Sequence, residues 1–181
     1  MSDDLTSLEA RIEALESREQ IRQLVVRYAQ ALDSRDVAAL ANLFTADVRL
    51  GDGRVGREAL AQWFDGILRP YTTTFHFIGN HRIDLLDRTH AEGVVYCRPE
   101  HEVGDQWIVM PMQYWDRYER QDGAWYFSSR SVHAFYAADV LERPSTVPGR
   151  FNFPGNPLLH RADLPGRWPA WQQFWADQPS S

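Results

Sequence analysis

The spacing of apolar residues changes near residue 70, and this change limits the folds that the chain can adopt. Before that point, Leu and Ile recur at steps of three and four residues, which is the period of an amphipathic helix. After it, β-branched and aromatic residues dominate to about residue 136, as they do in strands. Helices followed by strands predict an α+β fold rather than alternating βαβ units.

The apolar periodicity predicts three helices in the first part of the chain. In the first helix the apolar residues shift phase near Ser17, which leaves open two helices or one bent helix. Residues 33–36 break the pattern and can cap the next helix, and Pro70 ends the last one. The predicted helices cover residues 5–32, 37–44 and 57–68.

Short turns that contain Gly, Asn or Asp separate the longer predicted strands, so we expect an antiparallel meander. The predicted strands cover residues 48–50, 73–78, 81–87, 91–103, 106–119 and 124–136. Apolar side chains fill both faces of these strands, whereas a sheet with one wet face alternates apolar and polar residues. One face is therefore expected to cover the helices and a cavity, and the other to meet a second subunit.

Length and proline content predict one domain followed by an extension. A chain of 181 residues with 44% hydrophobic residues suits a single core, which we place in residues 1–140. Residues 141–181 hold seven of the ten prolines, which exclude most regular structure except a short helix at 169–176. Four aromatic side chains predict that this extension packs on the domain or on a neighbouring subunit: Trp168, Trp171, Phe174 and Trp175.

Composition argues against several classes of function. The net charge of −6 provides no basic face for phosphates, so we expect no nucleic-acid partner. Cys97 is the only cysteine, which excludes an internal disulfide and a thiolate metal cluster. No apolar run approaches the ~18 residues that span a bilayer, and the acidic N-terminus lacks a secretory signal. We therefore expect a cytoplasmic protein without a membrane partner.

Aromatic residues make up 13% of the chain, which is high for a domain of this size. Such rings predict the lining of a pocket for a hydrophobic small molecule, a subunit interface, or both. A core that is rich in rings is the alternative.

Histidines and carboxylates carry the candidate chemistry, because the sequence has no phosphate loop, zinc-peptidase motif or nucleophile elbow. A metal site fits poorly: His76 and His81 are five residues apart across a Gly-Asn turn, so strict alternation places them on opposite faces. We therefore expect neither a metal nor a cofactor. A general base fits better, because Asp33 at a helix end can orient His76 on a strand. The alternatives are a helix cap for Asp33 and a core histidine for His76.

A further signal lies in residues 19–33, 40–48, 76–83 and 114–125. Within a match that covers about residues 5–138, these segments resemble the SnoaL-like branch of the nuclear transport factor 2-like superfamily. The resemblance implies a cone-shaped, curved antiparallel sheet wrapped around N-terminal helices, which is an α+β barrel. Within the branch, the chain resembles three enzyme groups: scytalone dehydratase, hexachlorocyclohexane dehydrochlorinase and bile-acid 7α-dehydratase.

The resemblance also implies roles for single residues. In those enzyme groups an Asp late in the first helical region pairs with a His on a strand, and Asp33 and His76 hold these places. Tyr28 matches a tyrosine that touches the substrate, and Glu100 or His101 lies near the position that assists the leaving group.

The last strand and the rings are matched more loosely. Arg130 or His133 corresponds to an Arg or polar residue of the last strand in the family. The rings that suit a hydrophobic, cyclic or aromatic substrate are Trp63, Phe77, Trp107 and Trp115.

The function implied by the resemblance is a cofactor-independent lyase of the dehydratase type. His76 takes a proton from carbon, and a hydroxyl leaves after protonation by Tyr28, His101 or a bound water. The alternatives are an isomerase or cyclase, a retro-aldol carbon–carbon lyase, a non-catalytic binder of hydrophobic molecules, and the small structural subunit of a ring-hydroxylating dioxygenase. The dehydratases also imply a homo-oligomer, and a trimer rather than a dimer.

Overall fold

The computed structural model describes residues 2–147 and 162–176, with side chains from residue 7 onwards. Three helices precede a six-stranded sheet and a fourth helix follows it, which confirms the predicted α+β class. The helices are α1 (Ser2–Asp33), α2 (Val37–Asn42), α3 (Arg57–Leu68) and α4 (Pro169–Ala176). None of the helices in this part of the chain is long and apolar enough to cross a membrane.

The first helix runs unbroken through Ser17, so a single helix, and not two, occupies this part of the chain. Its second half buries Ile21, Leu24 and Val25 in the core, whereas Leu15 of its first half is 67% exposed. The shift in phase therefore marks the point where the helix meets the rest of the domain.

The sheet is antiparallel throughout, and its central strand is β2. The strands are β1 (Thr73–Leu85), β2 (His90–Val103), β3 (Gln106–Val109), β4 (Met112–Gln121), β5 (Ala124–Ala134) and β6 (Ala138–Asp139). β1 lies along one side of β2, while β4 and then β3 pair with the other side. The change of partner occurs near Pro99, whose carbonyl accepts a hydrogen bond from the Met110 amide at 3.1 Å. The sheet thereby curves around the helices.

The expected turn between predicted strands 73–78 and 81–87 is a β-bulge within the single strand β1. Between Ile78 and His81, β1 holds one residue more than the facing stretch of β2. The extra residue reverses the alternation, so His81 shares the inner face of the sheet with His76. The expectation that these two histidines lie on opposite faces is therefore wrong.

Two further strand predictions differ from the structure. The predicted strand 106–119 is divided into β3 and β4 at Pro111, which has no N–H to continue a ladder. Because of this break, β3 pairs with β6 while β4 pairs with β5. The predicted strand 48–50 is reduced to a single bridge between Arg49 and Val55.

The core lies between the inner face of the sheet and the helices. Tyr28 of α1 is at its centre, and its ring meets those of Phe44, Phe64 and Phe127 at 6.2, 6.2 and 5.7 Å. All three contacts are edge-to-face, the arrangement that aromatic quadrupoles favour. The outer face differs, because it leaves Phe77 60% exposed.

The described part of the C-terminal extension contacts the end of β5. The amides of Asp163 and Leu164 donate to the Ala134 carbonyl at 3.1 and 3.0 Å. The ring of Trp168 lies 5.6 Å from that of Phe135. Helix α4 occupies the residues that the sequence predicts, and three of its rings remain exposed: Trp171, Phe174 and Trp175.

Gly93 of β2 occupies a position with no room for a side chain. A Cβ atom there lies 2.9 Å from the Arg82 carbonyl oxygen and 3.0 Å from the Tyr118 ring. We expect Gly93→Ala to lower the free energy of unfolding by about 1–3 kcal/mol, because overpacking displaces the backbone. Urea denaturation measures the change. Gly66→Ala in α3 is the control, with open space around its Cβ and an expected gain of about 0.5–1 kcal/mol; equal stability of the two variants contradicts the prediction.

Candidate active site

Asp33 and His76 meet where the end of α1 reaches β1, and the contact that the sequence predicts is present. Asp33 Oδ1 lies 2.7 Å from His76 Nδ1, and Asp33 Oδ2 accepts a hydrogen bond from the His76 backbone N–H at 2.9 Å. The His76 side chain is 6% exposed and the Asp33 side chain 27% exposed, so the pair lies at the rim of the core. The backbone bond fixes the direction from which the carboxylate approaches the ring.

A second set of hydrogen bonds holds Asp33 in place. The Thr74 hydroxyl donates to Asp33 Oδ1 at 2.9 Å and accepts from Arg35 Nη1 at 2.6 Å. Arg35 has a φ of 63° in the left-handed region, and it also donates to the carbonyls of Leu32 and Tyr71 at 2.9 and 3.1 Å. The helix end, the strand and the carboxylate are thereby joined into one hydrogen-bonded unit.

The charge of Asp33 follows from these contacts. Partial burial raises the pKa of Asp33, but hydrogen bonds from His76 and Thr74 outweigh burial, and the pKa lies below its usual value. The carboxylate is therefore ionised at neutral pH. An ionised carboxylate accepts the Nδ1–H of His76, which selects the tautomer whose Nε2 lone pair is available to take a proton.

His101 lies on the same inner face, on the neighbouring strand. Its ring is 5.5 Å from that of His76 and 4.9 Å from that of Tyr71, measured between centroids. Burial, and the positive charge that His76 carries when it is protonated, lower the pKa of His101 to about 3. The ring is therefore neutral near pH 7, where it can hydrogen-bond a substrate but does not act as a cationic acid.

Asp116, which the sequence analysis did not single out, forms a buried ion pair with Arg130. The Nε and Nη2 atoms of Arg130 each donate to an Asp116 carboxylate oxygen at 2.7 Å. The guanidinium carbon lies 4.1 Å from the ring centres of both Tyr28 and Tyr114, and the Tyr118 hydroxyl donates to Asp116 at 2.7 Å. Of the two residues that match the last strand of the family loosely, Arg130 is the one that lies on the inner face, with its charge balanced by Asp116.

Three other predicted site residues lie on the outer face, away from Asp33 and His76. Glu100 accepts a hydrogen bond from Trp107 Nε1 at 2.7 Å, and the Nδ1 atom of His133 lies 2.8 Å from Asp163 Oδ2. Side chains alternate along a strand, so only one of the neighbours Glu100 and His101 can face inward, and it is His101. The structure therefore does not bring Glu100, Trp107 or His133 to the Asp33–His76 pair.

The outer face carries an open depression of about 650 Å³ whose aromatic lining includes Tyr96, Trp115 and Trp168. Neither Asp33 nor His76 lines it. Of the four rings proposed for substrate contact, Trp63 packs against the core from α3, whereas Trp107, Trp115 and Phe77 lie on the outer face.

The inner face suits removal of a proton from carbon. His76 Nε2 can act as a base there, and neutral His101 lies beside it. The Tyr28 phenol, whose pKa burial raises despite the opposing charge of Arg130, approaches the core from α1. In residues 2–147 and 162–176, no three His, Cys, Asp or Glu side chains cluster as metal ligands do.

Two buried histidines predict a fold that is sensitive to acid. Burial lowers the pKa of His101 to about 3 and that of His81, which lies 3.1 Å from the Tyr118 hydroxyl, to about 4, from a usual 6.5. Below pH 6.5 the unfolded chain binds protons that the folded chain does not. The contribution of the two neutral rings to the unfolding free energy is therefore complete above pH 6.5 and falls with pH, toward about 4 for His81 and about 3 for His101.

Between pH 7 and pH 5 the unfolding free energy of the unchanged protein is expected to fall. In His101→Gln this fall is expected to be smaller by about 2 kcal/mol, because the buried titrating ring is absent. Urea denaturation at both pH values measures this difference. His90→Gln is the control, because His90 is exposed and its removal leaves the buried histidines unchanged. The same pH dependence in His101→Gln as in the unchanged protein contradicts the prediction.

The sequence of this chain is similar to those of several known proteins. A profile of the SnoaL-like domain matches residues 13–131. The gamma-hexachlorocyclohexane dehydrochlorinase of Sphingobium indicum is 28% identical over 145 residues, which cover 76% of this chain and 93% of that protein. An uncharacterized protein of Mycobacterium tuberculosis is 27% identical over 120 residues, which cover 61% of this chain and 80% of that protein.

Solved structures agree with these sequence matches. A type 2 hexachlorocyclohexane dehydrochlorinase superposes with a TM-score of 0.66 at 25% identity, covering 81% of this chain and 99% of that one. A candidate scytalone dehydratase of Novosphingobium aromaticivorans superposes with a TM-score of 0.65 at 24% identity, covering 74% of this chain and 93% of that one. The second likeness concerns the fold.

Proposed function

Because the chain belongs to the SnoaL-like domain family, we propose that it is a cofactor-independent lyase. Its substrate is a hydrophobic cyclic or aromatic small molecule, from which it eliminates a proton and a leaving group on the neighbouring carbon. The observation that carries this proposal is the 2.7 Å contact between Asp33 Oδ1 and His76 Nδ1 on the inner face. Relatives at 28% identity are named hexachlorocyclohexane dehydrochlorinases, and dehydrochlorination is an elimination of this kind.

In the proposed step, His76 Nε2 takes a proton from a substrate carbon. The electrons of the broken C–H bond form a new C=C bond, and the leaving group departs with its bonding pair. Ionised Asp33 stabilises the imidazolium that forms, without taking the proton itself. General base catalysis of this kind contributes about 10²–10⁴-fold to a rate.

The leaving group is assisted by neutral donors in this proposal. The Tyr28 phenol of α1 lies among the core rings, the His101 ring lies on the inner face of the sheet, and both stay uncharged near pH 7. Each can hydrogen-bond a departing chloride or pass a proton to a departing hydroxyl, after which the proton held by the His76 imidazolium returns to the donor through water and restores both groups. The Arg130 guanidinium, held by Asp116, lies against the Tyr28 ring at 4.1 Å and supports it. In this proposal Trp63, which packs against the core, offers the substrate an apolar contact.

The test is turnover of two probes by the full chain: gamma-hexachlorocyclohexane, followed by chloride release, and a cyclic β-hydroxy ketone, followed by formation of the conjugated product. We expect turnover of one probe and a loss of about 10²–10⁴-fold in kcat/KM for His76→Gln. His90→Gln is the matched control, because His90 also lies close to a carboxylate, at 3.0 Å from Asp87, but on the exposed surface. Turnover that His76→Gln leaves unchanged overturns the proposal.

A further inference from the structure

The first half of α1 carries an apolar stripe that the domain does not cover. Leu8, Ile12 and Leu15 are 49%, 47% and 67% exposed. Their spacing, four residues and then three, is that of the a and d positions of a coiled coil. The stripe therefore has the form of a seam for another helix.

The stripe faces away from the domain. At ~100° per residue, it lies nearly opposite to Ser17 and Ile21, which are buried. On the domain side, the Glu13 carboxylate reaches Arg120 at 3.1 Å and Arg88 at 3.5 Å. These contacts hold that side of α1 on the sheet, so the stripe points to solvent.

We infer that this stripe pairs with the same stripe of a second copy of the chain, as a parallel two-stranded coiled coil. The occupant is another copy because the charges beside the stripe complement themselves. With Ile12 at an a position, Arg11 falls at g and Glu16 at e, and in a parallel pair the g residue of one helix faces the following e residue of the other. Antiparallel pairing centred on the stripe brings the two Arg11 side chains together.

The residue types at the a and d positions of the seam favour a dimer. A β-branched residue at a with Leu at d, as in Ile12 and Leu15, favours two strands. Glu19 and Arg22 hold the next a and d positions and bind each other at 3.7 Å, which ends the apolar seam. Asp33 lies at the other end of α1, so this pairing is independent of the proposed function and can be tested separately.

Sedimentation velocity of the full chain between about 1 and about 100 μM tests the pairing. We expect mass to rise with concentration, and the double variant Ile12→Glu/Leu15→Glu to raise the dissociation constant at least ~100-fold, because it places charge in the seam. Leu86→Glu is the matched control, since Leu86 is 60% exposed and lies outside α1. A monomer at all concentrations, or an assembly that the double variant leaves intact, overturns the inference.

The trimer implied by family resemblance is expected to form through the face of the sheet where the sequence predicts a second subunit, and not through this seam. If such a trimer exists, the double variant halves the mass of the assembly instead of producing monomers. In either case, the test of the pairing is whether the mass of the double variant is lower than that of the unchanged protein at the same concentration.

Charge reversal tests the parallel direction without touching the apolar residues. Arg11→Glu and Glu16→Arg each place like charges across a parallel seam, so each variant alone is expected to pair several-fold more weakly. Mixed together, the two variants are expected to form heterodimers at least as readily as the unchanged protein pairs, because both seam contacts become attractive. Failure of the mixture to associate overturns the parallel arrangement.

Discussion

Asp33→Asn is expected to lower kcat/KM by about 10³–10⁴-fold while leaving the fold intact. The amide keeps the shape of the carboxylate, but it loses the charge that stabilises the imidazolium of His76. It can also present an N–H to His76 Nδ1, which reverses the tautomer and leaves Nε2 protonated. Steady-state kinetics on whichever probe the unchanged protein converts measures the effect.

The matched control for this variant is Asp87→Asn. Asp87 also lies close to a histidine, with its Oδ2 atom 3.0 Å from His90 Nδ1, but both side chains are more than half exposed. We expect its kcat/KM to stay within about twofold of the unchanged protein, since surface pairs of this kind contribute little. Activity retained in Asp33→Asn contradicts the role assigned to Asp33, and circular dichroism separates lost chemistry from lost structure.

Asp116→Asn is expected to lower the free energy of unfolding by about 3–5 kcal/mol. The Asp116 side chain is fully buried and that of Arg130 is 4% exposed, so the substitution leaves a buried guanidinium without a counter-charge. Burial by itself lowers the pKa of Arg130, and the Asp116 carboxylate reverses this and raises it. Urea denaturation at neutral pH measures the loss.

Two controls test whether the loss of stability comes from burial of the charges and not from breaking any ion pair. Glu92→Gln removes an exposed partner of Arg117 at 3.2 Å and is expected to cost less than about 1 kcal/mol. The double variant Asp116→Leu/Arg130→Met removes both buried charges and is expected to lie closer in stability to the unchanged protein than Asp116→Asn does. Equal effects of Asp116→Asn and Glu92→Gln contradict the prediction.

The helical half was predictable because its pattern is local. Apolar spacing placed α3 at Arg57–Leu68, and the proline density of the extension left room for α4 at its observed position. The phase shift near Ser17 was also a true signal. Only the structure shows that it separates a covered face of one helix from an uncovered one.

The sheet was less predictable, because the register of strand pairing depends on β-bulges. The extra residue of a bulge has no recognisable pattern in the neighbouring sequence. Counting outward from the turn after β4 pairs Asp116 with Ser129, but a bulge shifts the register by one and brings Arg130 opposite Asp116. The bulge in β1 likewise turns His81 inward. A single extra residue therefore decides which charges are buried.

By itself the sequence determined the order of helices and strands, and through family resemblance it singled out Asp33 and His76 as partners. Periodicity and turn residues act over a few positions, so these features can be derived from the chain alone. Tertiary structure decided which neighbour in each strand faces inward, placing His101 in the core and Glu100 and His133 on the outer face. That choice follows from bulges, changes of strand partner and the helices packed on one side, which are contacts between distant parts of the chain.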